Sequence, residues 1–345
     1  ANAKAAVPLA LAILSAALVH LTATRSTAKP LTPLSEPVKV RVLAEALSFD
    51  RDDARRTKFG KLTYRGGINL FARSSHFGGF SGLALDPTGT ALLAITDAGA
   101  WMQATLDYEG KTLTGLSEVT LGPILDTDGT PVSSTNRQDA EGLALLAGTT
   151  REGTALVSFE RDHRIGRYPF SPARFGPPDG AISLPKAASA MEDNMGLEAL
   201  AILRGGPLKG TVVALAERLK DRNGNLTGWL IGGPETGSIT IKRLGGFDIT
   251  DAAGLPDGGL LLLERRFRFS EGVKMRIRRI KAADIRRGKL VTGEVLLEAD
   301  DLWNIDNMEA ISVHRAPDGA SVLTIMSDDN FNPFQRTLIL QFALP

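Results

Sequence analysis

The chain has 345 residues, 43% hydrophobic and 23% charged, with 36 glycines, 18 prolines and no cysteine. This is the balance of a folded globular protein, and it excludes disulfide scaffolds, thiolate zinc sites, iron–sulfur clusters and cysteine nucleophiles. Forty basic against 39 acidic residues give a net charge of +1, which argues against a dedicated nucleic-acid binder. Four scattered histidines, His20, His76, His163 and His314, form no metal-binding pattern. Chemistry therefore falls to carboxylates, Arg and Lys, amides and hydroxyls.

Ala5 to Val19 is a nearly unbroken apolar run behind Lys4 and ahead of the polar segment His20 to Lys29. Its length suits the core of an export signal, whereas a spanning helix needs about 20 apolar residues. Ser26 and Ala28 are small enough for a cleavage site. Residues 1–28 thus read as a signal peptide or an N-terminal membrane anchor, 29–37 as a linker and 38–345 as one domain, periplasmic or secreted. An uncleaved segment would tether the same domain to the inner membrane, facing the periplasm. Loss of Lys4 and Arg25 on cleavage would bring the net charge to −1.

Five segments then repeat a small or acidic residue, Gly or Ala, and a short apolar strand: FSGLAL at 80, AEGLAL at 140, LEALAI at 197, TDAAGL at 250 and MEAISV at 308. Their anchors, Ser81, Glu141, Glu198, Asp251 and Glu309, lie 60, 57, 53 and 58 residues apart. Each is followed, after a Gly/Pro turn, by a second apolar run ending in a carboxylate: Asp97, Glu160, Glu217, Glu264 and Asp328. Less apolar strands follow, such as Arg164 to Phe170, Leu226 to Gly232 and Lys274 to Ile280. Short strands, frequent turns and no long amphipathic helix predict an all-β chain, and four strands per repeat predict a five-bladed β-propeller. The last repeat lacks its fourth strand, which Val38 to Phe49 or Leu62 to Ala72 would supply, removing an open edge. Six blades remain open if those N-terminal strands form a blade of their own.

In a propeller, equivalent positions meet around one channel. Strand starts and strand ends share a face because the two strands run antiparallel. The carboxylates Asp97, Glu141, Glu160, Glu198, Glu217, Glu264, Glu309 and Asp328 are accordingly the candidate metal ligands. With oxygen donors only, the metal would be Ca²⁺ or Mg²⁺ rather than zinc. Arg161, His163, Arg218 and Arg265, just past the strand ends, are the candidate substrate-binding residues; a belt of Glu–Arg pairs locking the blades is the alternative. His163 and His314 are otherwise surface residues, and Trp101, Trp229 and Trp303 packing residues. Asp221 to Thr227 resembles half a calcium loop but lacks its glycine and distal Glu, so it reads as a hairpin turn, as does Asp126 to Thr130. Ser327 to Pro333 is a polar loop on the ligand face.

The segments GGFSGLALDP with LLAITDAG, QDAEGLALL with LVSFERDHRI, NMGLEALAIL with VALAERLKD, and DNMEAISVH with LTIMSDDNFNPFQRTLILQF resemble the phytase-like β-propeller family labelled "esterase-like activity of phytase". The resemblance covers roughly residues 75 to 345. It implies an exported propeller and hydrolysis of phosphoesters or carboxyl esters, with calcium and basic residues holding a phosphate. Its catalytic pattern does not map residue by residue onto this chain. Three functions follow as expectations: a calcium-dependent hydrolase of a small anionic or ester substrate; a non-catalytic propeller binding a ligand or a protein partner; and a propeller lactonase or sugar-oxidising enzyme.

Overall fold

The computed structural model describes residues 31–133, 137–191 and 196–345. The N-terminal apolar run lies outside the described residues, and among those described no helix is long and apolar enough to cross a membrane. The architecture is five antiparallel blades in a ring, a five-bladed β-propeller. Among the described residues helical structure amounts to two 3₁₀ turns, Lys186–Ala190 and Ala282–Asp284.

The inner strands of blades one to five are Phe80–Leu85, Ala140–Gly148, Leu197–Ile202, Asp248–Gly254 and Asn307–Arg315. Each pairs with a second strand: Ala91–Thr96, Gly153–Phe159, Val212–Lys220, Leu260–Arg268 and Ser321–Asp328. In blade one every residue of these two strands is buried, because a neighbouring blade covers each face. That explains why the innermost runs are continuously apolar rather than alternating. Five apolar clusters fill the five blade-to-blade seams; Ile68, Phe80, Leu92, Met326 and Ile339, for example, seal blade five against blade one.

The ring is closed by chain-distant strands. Leu62–Ala72 pairs antiparallel with Thr337–Ala343, the third strand of blade five, and Val42–Ala46 pairs on its outer side. The N-terminal strands therefore complete the last blade, and no sixth blade forms. Leu290–Val291 leaves its own blade and pairs parallel with Gly237–Ile241 of blade three, while Glu294–Ala299 completes blade four. Trp101 and Trp229 are buried, and Trp303 stacks on Phe49 at 5.7 Å. His314, expected at the surface, is instead 6% exposed. Its ring packs where a side chain on Gly89 would stand, and burial lowers its pKa to about 4. Asp221 to Asn225 and Asp126 to Thr130 are tight turns, each closed by backbone bonds and capped by its own first aspartate.

Since Ile68 is fully buried in the closing strand, Ile68→Ala should lower the unfolding free energy by about 2–5 kcal/mol. Urea denaturation reads this directly, and an unchanged midpoint would mean that the closing strand adds no stability.

Candidate functional site

One irregularity recurs in every blade. The ladder between inner and second strand slips by one residue at Ser81, at Glu141–Gly142, at Glu198, at Thr250 and at Glu309. Such bulges bend a strand and re-aim a side chain. In blade four the bulge falls on Thr250, so Asp251 is not the counterpart of the glutamates. Ser81 and Thr250 instead donate hydroxyl bonds to Ala140 and Met308 carbonyls of the next blade. Asp251 lies 1% exposed and accepts N–H bonds from Ala252 at 2.7 Å and from Ile311 of blade five at 2.8 Å. It is a tie between blades.

One residue past the pairs Phe80–Thr96, Ala140–Phe159, Leu197–Ala216, Ile249–Glu264 and Met308–Ser327 stand Asp97, Glu160, Glu217, Arg265 and Asp328. Glu264 does not join this ring. Successive side chains in a strand point to opposite faces, and Glu264 points between blades three and four. There, fully buried, it accepts Arg276 Nε at 2.8 Å and Arg278 Nη2. Arg278 also reaches the Lys242 and Thr292 carbonyls, and Arg276 lies 4.0 Å over the Phe247 ring.

Of the remaining sequence-predicted acids, Glu141, Glu160, Glu198 and Glu217 converge in two clusters, whereas Asp97, Glu309 and Asp328 stand in neither. Two triads have carboxylate oxygens all within 4.8 Å of one another: Asp139, Glu141 and Glu160, and Glu160, Glu198 and Glu217. Glu160 belongs to both. Burial, then repulsion from Glu198, Asp139, Glu160 and Asp97, pushes the Glu141 carboxyl well above the usual range. Burial, then Glu217, Glu160 and Glu309, does the same to Glu198. Burial lifts Glu217 to about 7 against the pull of Arg218 and Arg265. On the far side burial and then Asp97 raise Asp328, and burial raises Glu309. Asp139 was not among the expected ligands. Its signal was available, since it directly precedes the inner strand Ala140–Gly148 and so lies at the strand-start face.

Arginines share this space. Arg161 Nε donates to Asp139 Oδ2 at 2.8 Å; Arg218 Nη2 pairs with Glu217 Oε1 at 3.0 Å while its Nε holds Asp248 Oδ2 at 3.2 Å. Arg265 pairs with Glu309 at 3.3 Å and donates to Asn307. Burial opposes the Arg265 charge, but Glu309, Glu217, Glu198 and Asp328 outweigh it and raise its pKa. His163 crosses to the blade two–three seam. Both its ring nitrogens are buried without a hydrogen-bond partner, and the ring stands where a side chain on Gly196 would clash. The loop after Asp328 is bent back, with Asn330 and Phe331 at φ of 48° and 50°. It is held by Asp329, which accepts the Gly79 and Phe331 amides. Beside blade two opens a cavity of about 320 Å³, lined by Asp126, Arg137, Arg164, Tyr168 and Pro178 among others.

A family model described as phytase-like, "esterase-like activity of phytase", matches residues 75–331. The chain belongs to the phytase-like family. A comparison with curated proteins finds no match. In this phytase-like propeller the matched stretch runs from just before the first inner strand to just past Asp328, so it contains every residue of the ring. The donor set of each triad, three oxygens and no nitrogen or sulfur, fits a hard divalent cation. The mutual repulsion of these buried carboxylates is what such a cation would relieve.

Two consequences can be measured. Glu141, Glu198, Glu217 and Asp328 have folded-state pKa values raised above their unfolded ones. Their contribution to stability is full at low pH and is lost as pH rises through the folded values. In chelator, the melting temperature should therefore fall by several degrees between about pH 5 and pH 8. Added divalent cation should restore more of it at pH 8 than at pH 5; a flat profile would show that the arginines already neutralise the ring. Glu264→Gln, which removes the carboxylate shared by two buried guanidiniums and leaves Arg276 only Glu298, at 3.8 Å, as an ion-pair partner among the described residues, should destabilise the protein by about 3–5 kcal/mol in urea denaturation.

Proposed function

We propose that this phytase-like propeller is a divalent-cation-dependent hydrolase of phosphoesters or related esters. The observation that carries the reading is the pair of carboxylate triads sharing Glu160, flanked by arginines at the ring's mouth. Calcium is the cation we assign, held by Asp139, Glu141, Glu160, Glu198 and Glu217. When bound, it would supply positive charge to a phosphoryl or acyl oxygen and lower the pKa of a water.

The protein's own groups do the rest. Arg161 and Arg218 stand beside the triads and offer planar, bidentate donors suited to a phosphate or carboxylate. Arg265 holds the blade four and five side of the ring with a permanent charge. On the blade two and three side the acids outnumber the arginines, Arg161 and Arg218, that pair with them. Arg137 and Arg164, at the cavity beside blade two, are close in sequence to Asp139 and Glu160 and would receive the remainder of the substrate. Asp139, Glu160 and Glu217 are buried and Glu141 and Glu198 half-buried, which would strengthen each charge interaction while leaving an opening for substrate. We place the protein outside the cytoplasm, in the periplasm or secreted, with residues 1–28 as its export signal or anchor.

A second reading, a propeller that binds a protein partner without catalysis, is favoured by one observation. Phe269 and Phe334, 90% and 93% exposed, sit on loops of the same face, and isolated aromatic anchors of this kind suit interfaces. Assays separate the two. With phosphate monoesters and short acyl esters as substrates, excess chelator should abolish turnover and calcium should restore it. Glu160→Gln, which removes the shared ligand, should cut kcat/KM at least about 100-fold. Full turnover in chelator would overturn the hydrolase reading as stated.

A further inference from the structure

Each carboxylate triad contains one member already engaged by an arginine. In the first triad it is Asp139, whose Oδ2 accepts Arg161 Nε at 2.8 Å. In the second it is Glu217, whose Oε1 pairs with Arg218 Nη2 at 3.0 Å. These are the same two arginines that the ring presents to an incoming anion. Each guanidinium and a cation in the triad would therefore compete for one carboxylate, and like charges at this range repel.

We propose that Arg161 and Arg218 are exchangeable counter-ions: a divalent cation entering the triads displaces them from Asp139 and Glu217, and the released guanidiniums then bind the oxyanion of the substrate. This rests on the reading of the triads as cation sites. It deepens that reading by making the empty and loaded rings differ in anion affinity, so that an anionic substrate is held firmly only once the cation is in place.

The two arginines are built differently for the task. Arg218 keeps a second anchor, because its Nε donates to Asp248 Oδ2 at 3.2 Å and Asp248 is itself held by Arg243 at 2.7 Å. It would pivot on Asp248, carrying its terminal nitrogens off Glu217 without leaving the site. Arg161 makes its one ion pair among the described residues with Asp139, and its side chain is 24% exposed. It would swing free. Arg265 is the contrast. Its partners Glu309 and Asn307 belong to neither triad, so it would stay in place as a fixed charge. Linkage demands reciprocity: whatever factor the cation adds to anion affinity, the anion adds to cation affinity.

The experiment uses the full propeller, calcium alone and inorganic phosphate as probes, and two readouts. Calorimetry gives the calcium affinity of the wild type, of Arg161→Gln, of Arg218→Gln and of Arg279→Gln, whose partner Asp257 lies in a turn at the opposite end of the blade. Removing a competing charge should tighten calcium binding roughly tenfold in the first two and leave the third unchanged. The calcium-induced gain in phosphate affinity should shrink in Arg161→Gln and Arg218→Gln. Side-chain ¹⁵N–¹H spectra of the wild type need no variant to fold: the Arg161 Nε–H resonance should move on calcium addition and move again on phosphate. If calcium binds the wild type while that resonance stays put and Arg161→Gln binds calcium with unchanged affinity, the exchange is overturned but the cation site stands. If calcium does not bind at all, the cation site itself fails.

Discussion

Five inner strands packed side by side around one axis force each register position to meet its counterparts. Everything particular about this molecule follows from which residues occupy those positions. Apolar residues along the hairpins fill five seams and hold the blades together. At the strand ends the same geometry crowds carboxylates into one volume, where burial and repulsion both oppose their ionisation. A closed ring cannot relax by moving one acid away without opening a seam.

The chain answers that repulsion unevenly. In blade four an arginine stands where four blades place an acid, and Glu264 is turned away to neutralise two buried arginines between sheets. Arg265 thus discharges one side of the ring from within, and Arg161 and Arg218 only partly discharge the other. The result is an uneven channel: Arg265 and Glu309 pair on the blade four and five side, Asp328 there is crowded by Asp97, and the acids of blades two and three bring their oxygens within 4.8 Å of one another. The recurring bulge sets this pattern, because it decides which of two adjacent residues looks into the channel.

Closure and chemistry are linked in the same way. The strand Leu62–Ala72, far away in sequence, completes blade five and fixes the positions of Glu309 and Asp328 relative to Asp97. Asp251, hidden from solvent, ties blade four to blade five beneath the ring. The two triads are joined in turn through Glu160, which belongs to both.

Much of this was legible in the sequence. The repeat interval, the apolar hairpins and the acid at each strand end predict a β-propeller with an acidic face, because periodicity and hydrophobicity are local properties that propagate through a symmetric fold; five blades rather than six was settled by where the N-terminal strands pair. The strand ends Asp97, Glu160, Glu217 and Asp328 were readable for the same reason. Blade four was not. A shift of one residue exchanges the faces of Glu264 and Arg265, and of Thr250 and Asp251. Which register wins depends on the bulge and on Arg276 and Arg278 waiting across the sheet. Nor did sequence spacing show that Asp139 completes a triad, that His314 is buried against Gly89, or that Arg161 and Arg218 already hold carboxylates. Those are matters of distance between residues of different strands and blades, which only tertiary packing decides.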